Sequence, residues 1–254
     1  MNYSELSNKL NEELNKLQGQ VGLSVDFVDI GDLFEFNSDD KFWAASVIKL
    51  HISGTVYKQI EDRVLDNKKR YAIDEVNRVD GSGISKLFDK DTLFTLHDLI
   101  VMSIAISDNS TANQLTEIVG ADSIEEFIQE IGLKNTSFKH KMMIKAGKGP
   151  NLITARDATL FLKKLYNKEL PGSEKILEIM KHTKLRNRIP DRIPNDVEVA
   201  HKPGSLPRAM HEVGIVYSKR PFIFSFFSDD QEDKKLTNEV LSKCAKLCFD
   251  YSIS

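Results

Sequence analysis

The chain has 254 residues, 41% hydrophobic and 29% charged, a balance that supports a buried core and excludes disordered and collagen-like architectures. Its 35 basic side chains against 38 acidic ones leave a net charge of -3, too weak a field to point to nucleic acid or an anionic membrane as partner. The 7 prolines and 13 glycines are too scattered to form a long linker, so one compact domain over residues 1–254 is expected.

Leu6, Leu10, Leu14 and Leu17 recur at helical spacing behind Ser4, a candidate N-cap, and predict an amphipathic opening helix. The stretch lacks the basic start and apolar run of a secretory leader, so a cytoplasmic location is expected. No stretch stays apolar for the ~20 residues that a bilayer span needs. VGLSVDFVDIGDLFEFN alternates around Gly31-Asp32 and predicts a β-hairpin. Val47, Leu50, Ile52, Val56 and Ile60 place a helix over about Ser46 to Asp62, central because charges are few until its end.

From about 63 to 185 the pattern is helical, with periodicities over 96–104, 111–119, 123–131 and 155–170 and no convincing strand. VEVAHK, HEVGIVY and PFIFSFF then read as strands, and a last helix covers about 234–249. Both chain ends therefore contribute strands. The expected fold class is α+β: a five-stranded antiparallel sheet flanked by helices (about 1–62 and 190–254) plus an all-helical lobe (about 63–189), with a cleft between them. Cys244 and Cys248, one helical turn apart, are badly placed for a mutual disulfide and read as reduced core thiols. The six histidines show no metal-ligand spacing, so neither metal nor cofactor is expected.

Ser46-Val47-Ile48-Lys49 puts a hydroxyl and an amine three residues apart, on one side of a helix. A serine hydroxyl is a weak nucleophile at neutral pH, and a desolvated lysine with a depressed pKa can take its proton. Alone, Ser-x-x-Lys also fits an N-cap followed by a surface lysine. Two further segments add weight: Ser107-Asp108-Asn109 at the junction of two helical patterns, and His201-Lys202-Pro203-Gly204-Ser205 ending a strand.

In chain order these segments resemble the Ser-x-x-Lys, Ser-Asp-Asn and Lys-Thr-Gly elements of the class A β-lactamases and penicillin-binding serine enzymes. Gly81-Ser82-Gly83-Ile84, Thr95 to Leu99, Asn113, Gly132-Leu133 to Thr136 and Arg156-Asp157 extend the likeness over roughly residues 20 to 250. The resemblance implies the β-lactamase/transpeptidase-like fold, with the site between sheet and helical lobe. It implies roles too. Ser46 is the nucleophile that becomes acylated, and Lys49 helps to remove its proton. Ser107 relays a proton to the leaving nitrogen, Lys202 orients that hydroxyl and adds positive charge, and Asn109 holds a substrate amide. The strand segment Gly204-Ser205 binds substrate, the backbone N–H groups of Ser46 and Ser205 forming the oxyanion hole.

Two departures stand out. Class A enzymes deacylate through a loop glutamate that activates water. The matching interval here, Ser137 to Ala155, has no Asp or Glu, but has Lys139, Lys141, Lys145 and Lys148. His140 is a chemically possible substitute base, and Asn151 a possible water-positioning group. Pro203 also stands where the family has Thr or Ser, removing a hydroxyl that would bind a substrate carboxylate. Arg208 is near enough in sequence to supply a cation instead, and a typical anionic penicillin is expected to be held less well.

The reading is a metal-free serine hydrolase that acylates on a small-molecule amide, lactam or ester, with slow or absent β-lactam turnover. The alternative is a non-catalytic ligand-binding or regulatory protein that keeps the fold. Physiological substrate and oligomeric state are not legible.

Overall fold

A computed structural model describes residues 1–144 and 149–254. The first part of the chain forms α1 (Tyr3–Leu14), β1 (Gln20–Phe27), β2 (Asp32–Phe36), β3 (Phe42–Trp43), a 3-10 turn (Ala45–Ile48), α2 (Lys49–Glu61), β4 (Arg70–Tyr71) and β5 (Phe94–Thr95). Next come α3 (Leu96–Ala105), α4 (Asn109–Val119), α5 (Ala121–Glu130), β6 (Leu152–Ile153), α6 (Ala155–Tyr166) and α7 (Ser173–Lys181). The last part holds a 3-10 turn (Ile189–Arg192), β7 (Val199–Leu206), β8 (Ala209–Val216), β9 (Phe222–Asp229) and α8 (Lys234–Ile253). They gather into two compact units, one of Met1–Val47, Ile153–Lys163 and Leu185–Ser254, the other of Ile48–Leu152 and Lys164–Lys184.

The first unit is built on the expected five-stranded sheet, in the order β2-β1-β9-β8-β7. Every pairing is antiparallel. The hairpin β1–β2 and the strands near the C-terminus meet because β1 and β9 pair along their whole length, from Gln20↔Asp229 to Phe27↔Phe222. All of β9 but its last residue is buried, as a central strand covered on both faces must be. Helices α1 and α8 cover one face, where Leu6, Leu10, Leu14, Val240, Leu241 and Cys244 join the strand side chains in one core. Helix α6 is tied to the sheet by Lys163 on Asp26 (2.7 Å) and by Thr159 donating to Ser225 Oγ (2.9 Å). Cys244 and Cys248 are free and buried, and burial raises both thiol pKa values. The cap of α1 is Asn2 rather than Ser4: Asn2 Oδ1 accepts from Glu5 N–H while the Glu5 carboxylate accepts from Asn2 N–H, a reciprocal box that Ser4 cannot make.

The second unit is arranged around α2, which is buried from Lys49 to Tyr57 and packs on α3, α4, α5 and α7. The second unit runs over Ile48–Leu152 and Lys164–Lys184, beside an expectation of a helical lobe over about 63–189. Gly54 lets the Phe127 ring lie against α2, since a Cβ there would meet the ring at 2.7 Å. The expectation of no strand between 63 and 185 is corrected by the two-residue strands β4 and β5, which pair with each other, and by β6; such short pieces carry no alternation to read. Helix α7 also escaped the periodicity. Among the described residues no helix is long and apolar enough to cross a membrane.

Gly54→Ala is expected to destabilise the chain by about 1–3 kcal/mol through overpacking against Phe127, read as a lower urea midpoint at unchanged m-value.

Candidate active site

Ser46 belongs to the first unit, on the 3-10 turn Ala45–Ile48, which runs straight into α2 at Lys49. The turn is closed by Val47 N–H donating to Ala44 O at 3.1 Å. Ala45, just before the serine, has φ 45°, a left-handed conformation that costs a residue with a Cβ about 1–2 kcal/mol. Ser46 itself is half-buried. Strand β7 lies against this turn: a Cβ on Gly204 would come within 3.2 Å of Val47 Cγ2 and 3.3 Å of Ala45 Cβ, so glycine is what permits the approach.

β7 is the edge strand of the sheet, which explains how it accommodates Pro203, a residue with no N–H to give to a ladder. Lys202 is fully buried, with Nζ 3.3 Å from Pro203 O. Pro203 and Gly204 are buried, while Ser205 is exposed. Arg188, which sequence reasoning missed, is 5% exposed and donates to Gly204 O (2.9 Å), His211 O (2.6 Å) and Ser205 Oγ (2.6 Å). Glu212 provides its counter-charge; that carboxylate accepts from Ile189 N–H and pairs with His201 Nδ1 at 2.8 Å, wholly inside the protein. Arg208 turns elsewhere, onto Asp230 (2.8 Å) and Glu232 (3.5 Å). No periodicity flags Arg188, because it precedes β7 by a stretch of irregular chain.

In the second unit the junction of α3 and α4 assembles around Lys49. Its fully buried Nζ donates to Ser107 O (2.5 Å) and Asn109 Oδ1 (2.7 Å), and Ser107 Oγ lies 3.3 Å away. Ser107 is held at φ 58°, which turns its carbonyl toward the amine. Burial pushes the Lys49 pKa down to about 7, with the Asp108 carboxylate offsetting part of the drop. Three acceptors surround Nζ, matching the three N–H groups of the ammonium form; on losing a proton the amine keeps two N–H groups and gains a lone pair. Lys49 is thus chemically able to act as a base at neutral pH.

Asp108, also absent from the expected site residues, holds this junction together. It caps α4 through Thr111 N–H (3.0 Å) and accepts from Ile84 N–H, Ser85 N–H and Ser85 Oγ–H at 2.8, 2.8 and 2.6 Å. The loop Asp80–Ser85 completes the cradle: Asn109 N–H donates to Ser82 O and Asn109 Nδ2 to Asp80 O, both at 3.0 Å. Gly83 (φ 101°) has no room for a Cβ, which would lie 2.2 Å from the Asp108 carboxylate. The glycines in Gly81-Ser82-Gly83 were the signal that the backbone comes close to something here.

The loop after Thr136 is pinched at its neck by Ser137 and Leu152, whose backbones exchange two hydrogen bonds. Asn151 clasps the loop: Oδ1 accepts from Lys139 and His140 N–H (2.6 and 3.1 Å) and Nδ2 donates to His140 O (2.9 Å). His140 lines a hollow of about 350 Å³ with Thr116, Gly120 and Phe138 at the far end of α4. At 1.5 Å rise per residue, Thr116 is roughly 10 Å along the axis from Asn109, so His140 is poorly placed to serve as base. Lys139 pairs with Glu125 and Lys141 with Glu117; Lys145 and Lys148 lie outside the described residues. Met142 ties the loop to α4: its N–H donates to Asn113 Oδ1 (2.7 Å) and its carbonyl accepts from Asn113 Nδ2 (3.0 Å). Asn113 is one turn beyond Asn109, on the same face of α4. Among the described residues no group of three His, Cys, Asp or Glu could hold a metal ion.

A buried amine three residues after a serine, beside a Ser-Asp-Asn junction, in a chain that also builds a five-stranded antiparallel sheet, fits a serine hydrolase of the β-lactamase and penicillin-binding class. Residues 5–252 match Beta-lactamase2, the beta-lactamase enzyme family, and the chain belongs to that family. It is similar to a beta-lactamase of Bacteroides uniformis, 23% identical over 97% of this chain and 91% of the relative. Its fold is shared with a beta-lactamase from Chitinophaga pinensis DSM 2588, at TM-score 0.92 and 23% identity over 98% of this chain and 99% of the other. It is shared also with a mutant of PBP-A in acyl-enzyme complex with penicillin G, at TM-score 0.89 and 20% identity over 98% and 96%.

Burial lowers the pKa of two histidines, His51 to about 3 and His211 to about 4. The unfolded chain, with these groups near 6.5, therefore binds more protons over the interval between. The unfolding free energy is expected to fall as pH drops from about 6.5 towards 4, with urea melts across that range as the measurement; a stability that stays level would count against neutral buried imidazoles.

Proposed function

We propose that the chain is a serine acyl-transfer enzyme in which Ser46 attacks the carbonyl of a small-molecule amide, lactam or ester and Lys49 takes its proton. The observation that carries this reading is the state of Lys49: fully buried, its N–H groups spent on Ser107 O and Asn109 Oδ1, its pKa lowered into the neutral range. Ligand capture without chemistry needs no such amine. Ser107 passes the proton on to the leaving atom, Lys202 adds positive charge, and the backbone N–H groups of Ser46 and Ser205 hold the oxyanion. The closeness of β7 to the Ser46 turn at Gly204 supports the last role.

Release of the acyl group is proposed to be slow. No carboxylate occurs between Ser137 and Ala155, and Met142 stands at the loop position tied to α4. Removing an acid–base partner costs typically 10²–10⁴-fold. The PBP-A acyl-enzyme shows that a protein of this fold can be held at the acyl stage with penicillin G. Pro203 offers no hydroxyl to a substrate carboxylate and Arg208 is engaged by Asp230, which supports weak holding of anionic penicillins; Arg188 donates to the Ser205 hydroxyl of β7.

Incubation with a fluorescent penicillin, followed over time by intact-protein mass spectrometry, should show one adduct, on Ser46, that persists. Ser46→Ala should abolish it while the thermal midpoint stays within a few degrees; labelling at the wild-type rate in that variant refutes the assignment. The rate of adduct formation should rise through about pH 7 as Lys49 loses its proton. Met142→Glu should raise steady-state nitrocefin turnover by about 10²-fold over the wild-type chain, and an unchanged rate would show that the missing carboxylate is not what limits release.

A further inference from the structure

His211 has no part in the chemistry above, yet both of its ring nitrogens are committed. Nε2–H donates to Trp43 O at 2.9 Å, and Nδ1 accepts from Ser228 N–H at 3.2 Å. One ring thus joins three pieces of the first unit: its own strand β8, the neighbouring β9 through Ser228, and β3 through Trp43. The ring is fully buried, 4.9 Å from the Phe227 ring and 6.3 Å from Phe42, which stacks on Phe227 at 5.7 Å.

What Trp43 leads into gives this contact its meaning. Two residues later comes Ala45 in its left-handed conformation, then Ser46. A strained residue persists where its surroundings over-determine it. Here the far side of the turn is closed by Val47 N–H on Ala44 O, and one flank is packed by Gly204 of β7, which is in register with His211. The entry is held by the His211–Trp43 bond. We infer that His211 is the positioning residue for the nucleophile: its imidazole fixes the backbone at Trp43, and through it the strained Ala45–Ser46 turn, relative to the sheet. The clamp works only as the neutral Nε2–H tautomer, because a protonated ring would present a second donor to the Ser228 N–H. Burial, helped by the nearby Arg188 cation, keeps the ring neutral through the physiological range, against the two carbonyl contacts, at Trp43 and Met210, that favour the charged form.

The inference rests on Ser46 being the acylated residue, and a pair of variants separates the two ideas. His211→Gln places an amide donor where Nε2–H was, within reach of Trp43 O; His211→Asn can keep the Ser228 contact but is too short for Trp43. Both would be compared with the wild-type chain for the rate of Ser46 acylation by a fluorescent penicillin, for thermal midpoint, and for iodide quenching of Trp43, the single tryptophan of the chain. His211→Asn is expected to slow acylation by at least about 10-fold and to raise quenching of Trp43, whereas His211→Gln stays within about 3-fold of wild type in both, a split that tracks the Trp43 bond and not overall stability. Equal acylation rates and equal quenching in the two variants overturn the clamp. If the wild-type chain takes no label at Ser46, the proposed function fails, and the quenching comparison alone still decides whether His211 holds the turn.

Discussion

The structure depends on hiding one amine. Lys49 sits on the most buried face of the most central helix of its unit, where an uncompensated ammonium would be costly, and the surrounding chain is shaped to accept it. Two carbonyl oxygens, from Ser107 and Asn109, are turned onto the nitrogen, and the Asp108 carboxylate lies close enough to hold its pKa above what burial alone would give. A long list of otherwise odd features follows from that requirement: the positive φ of Ser107, the gap between α3 and α4, and the glycine-rich loop that wraps Asp108 and Asn109.

The first unit solves a different problem, that of presenting a serine at the head of a helix without letting the turn relax. Ala45 is strained, and the constraints upon it come from the sheet: Gly204 yields the space, Val47 closes the turn, and His211 ties the approach at Trp43 to β8 and β9. Behind β7, the fully buried His201–Glu212 pair and the guanidinium of Arg188 make a second polar network inside an apolar sheet protein. Its Glu212 counter-charge leaves Arg188 fixed on Gly204 O and Ser205 Oγ.

Function, on this reading, is divided by chemistry. Lys49 is braced by Ser107 and Asn109, and the described parts of the loop between Ser137 and Leu152 are braced by contacts of their own. Asn151 and Asn113 spend their amides on loop backbone, Glu125 pairs with Lys139 and Glu117 with Lys141, and Met142 is tied to α4 through Asn113.

Much of this was legible in the linear chain because it is local or periodic. The alternation in VGLSVDF and PFIFSFF marked strands, the sparse charges from Val47 to Ile60 marked a buried helix, and three short motifs in order identified the family. The absence of acids between Ser137 and Ala155 needed no structure at all. What tertiary structure alone decided is how residues far apart share one charge or one strained bond. Asp108 and the glycines of Gly81-Ser82-Gly83 are 25 or more positions apart from nothing that would reveal their contact by period, Arg188 reaches β7 from irregular chain, and His211 reaches Trp43 across 168 residues. Hydrogen bonds of buried polar groups are set by which backbones the fold brings together, and a sequence pattern records burial and period but not partner.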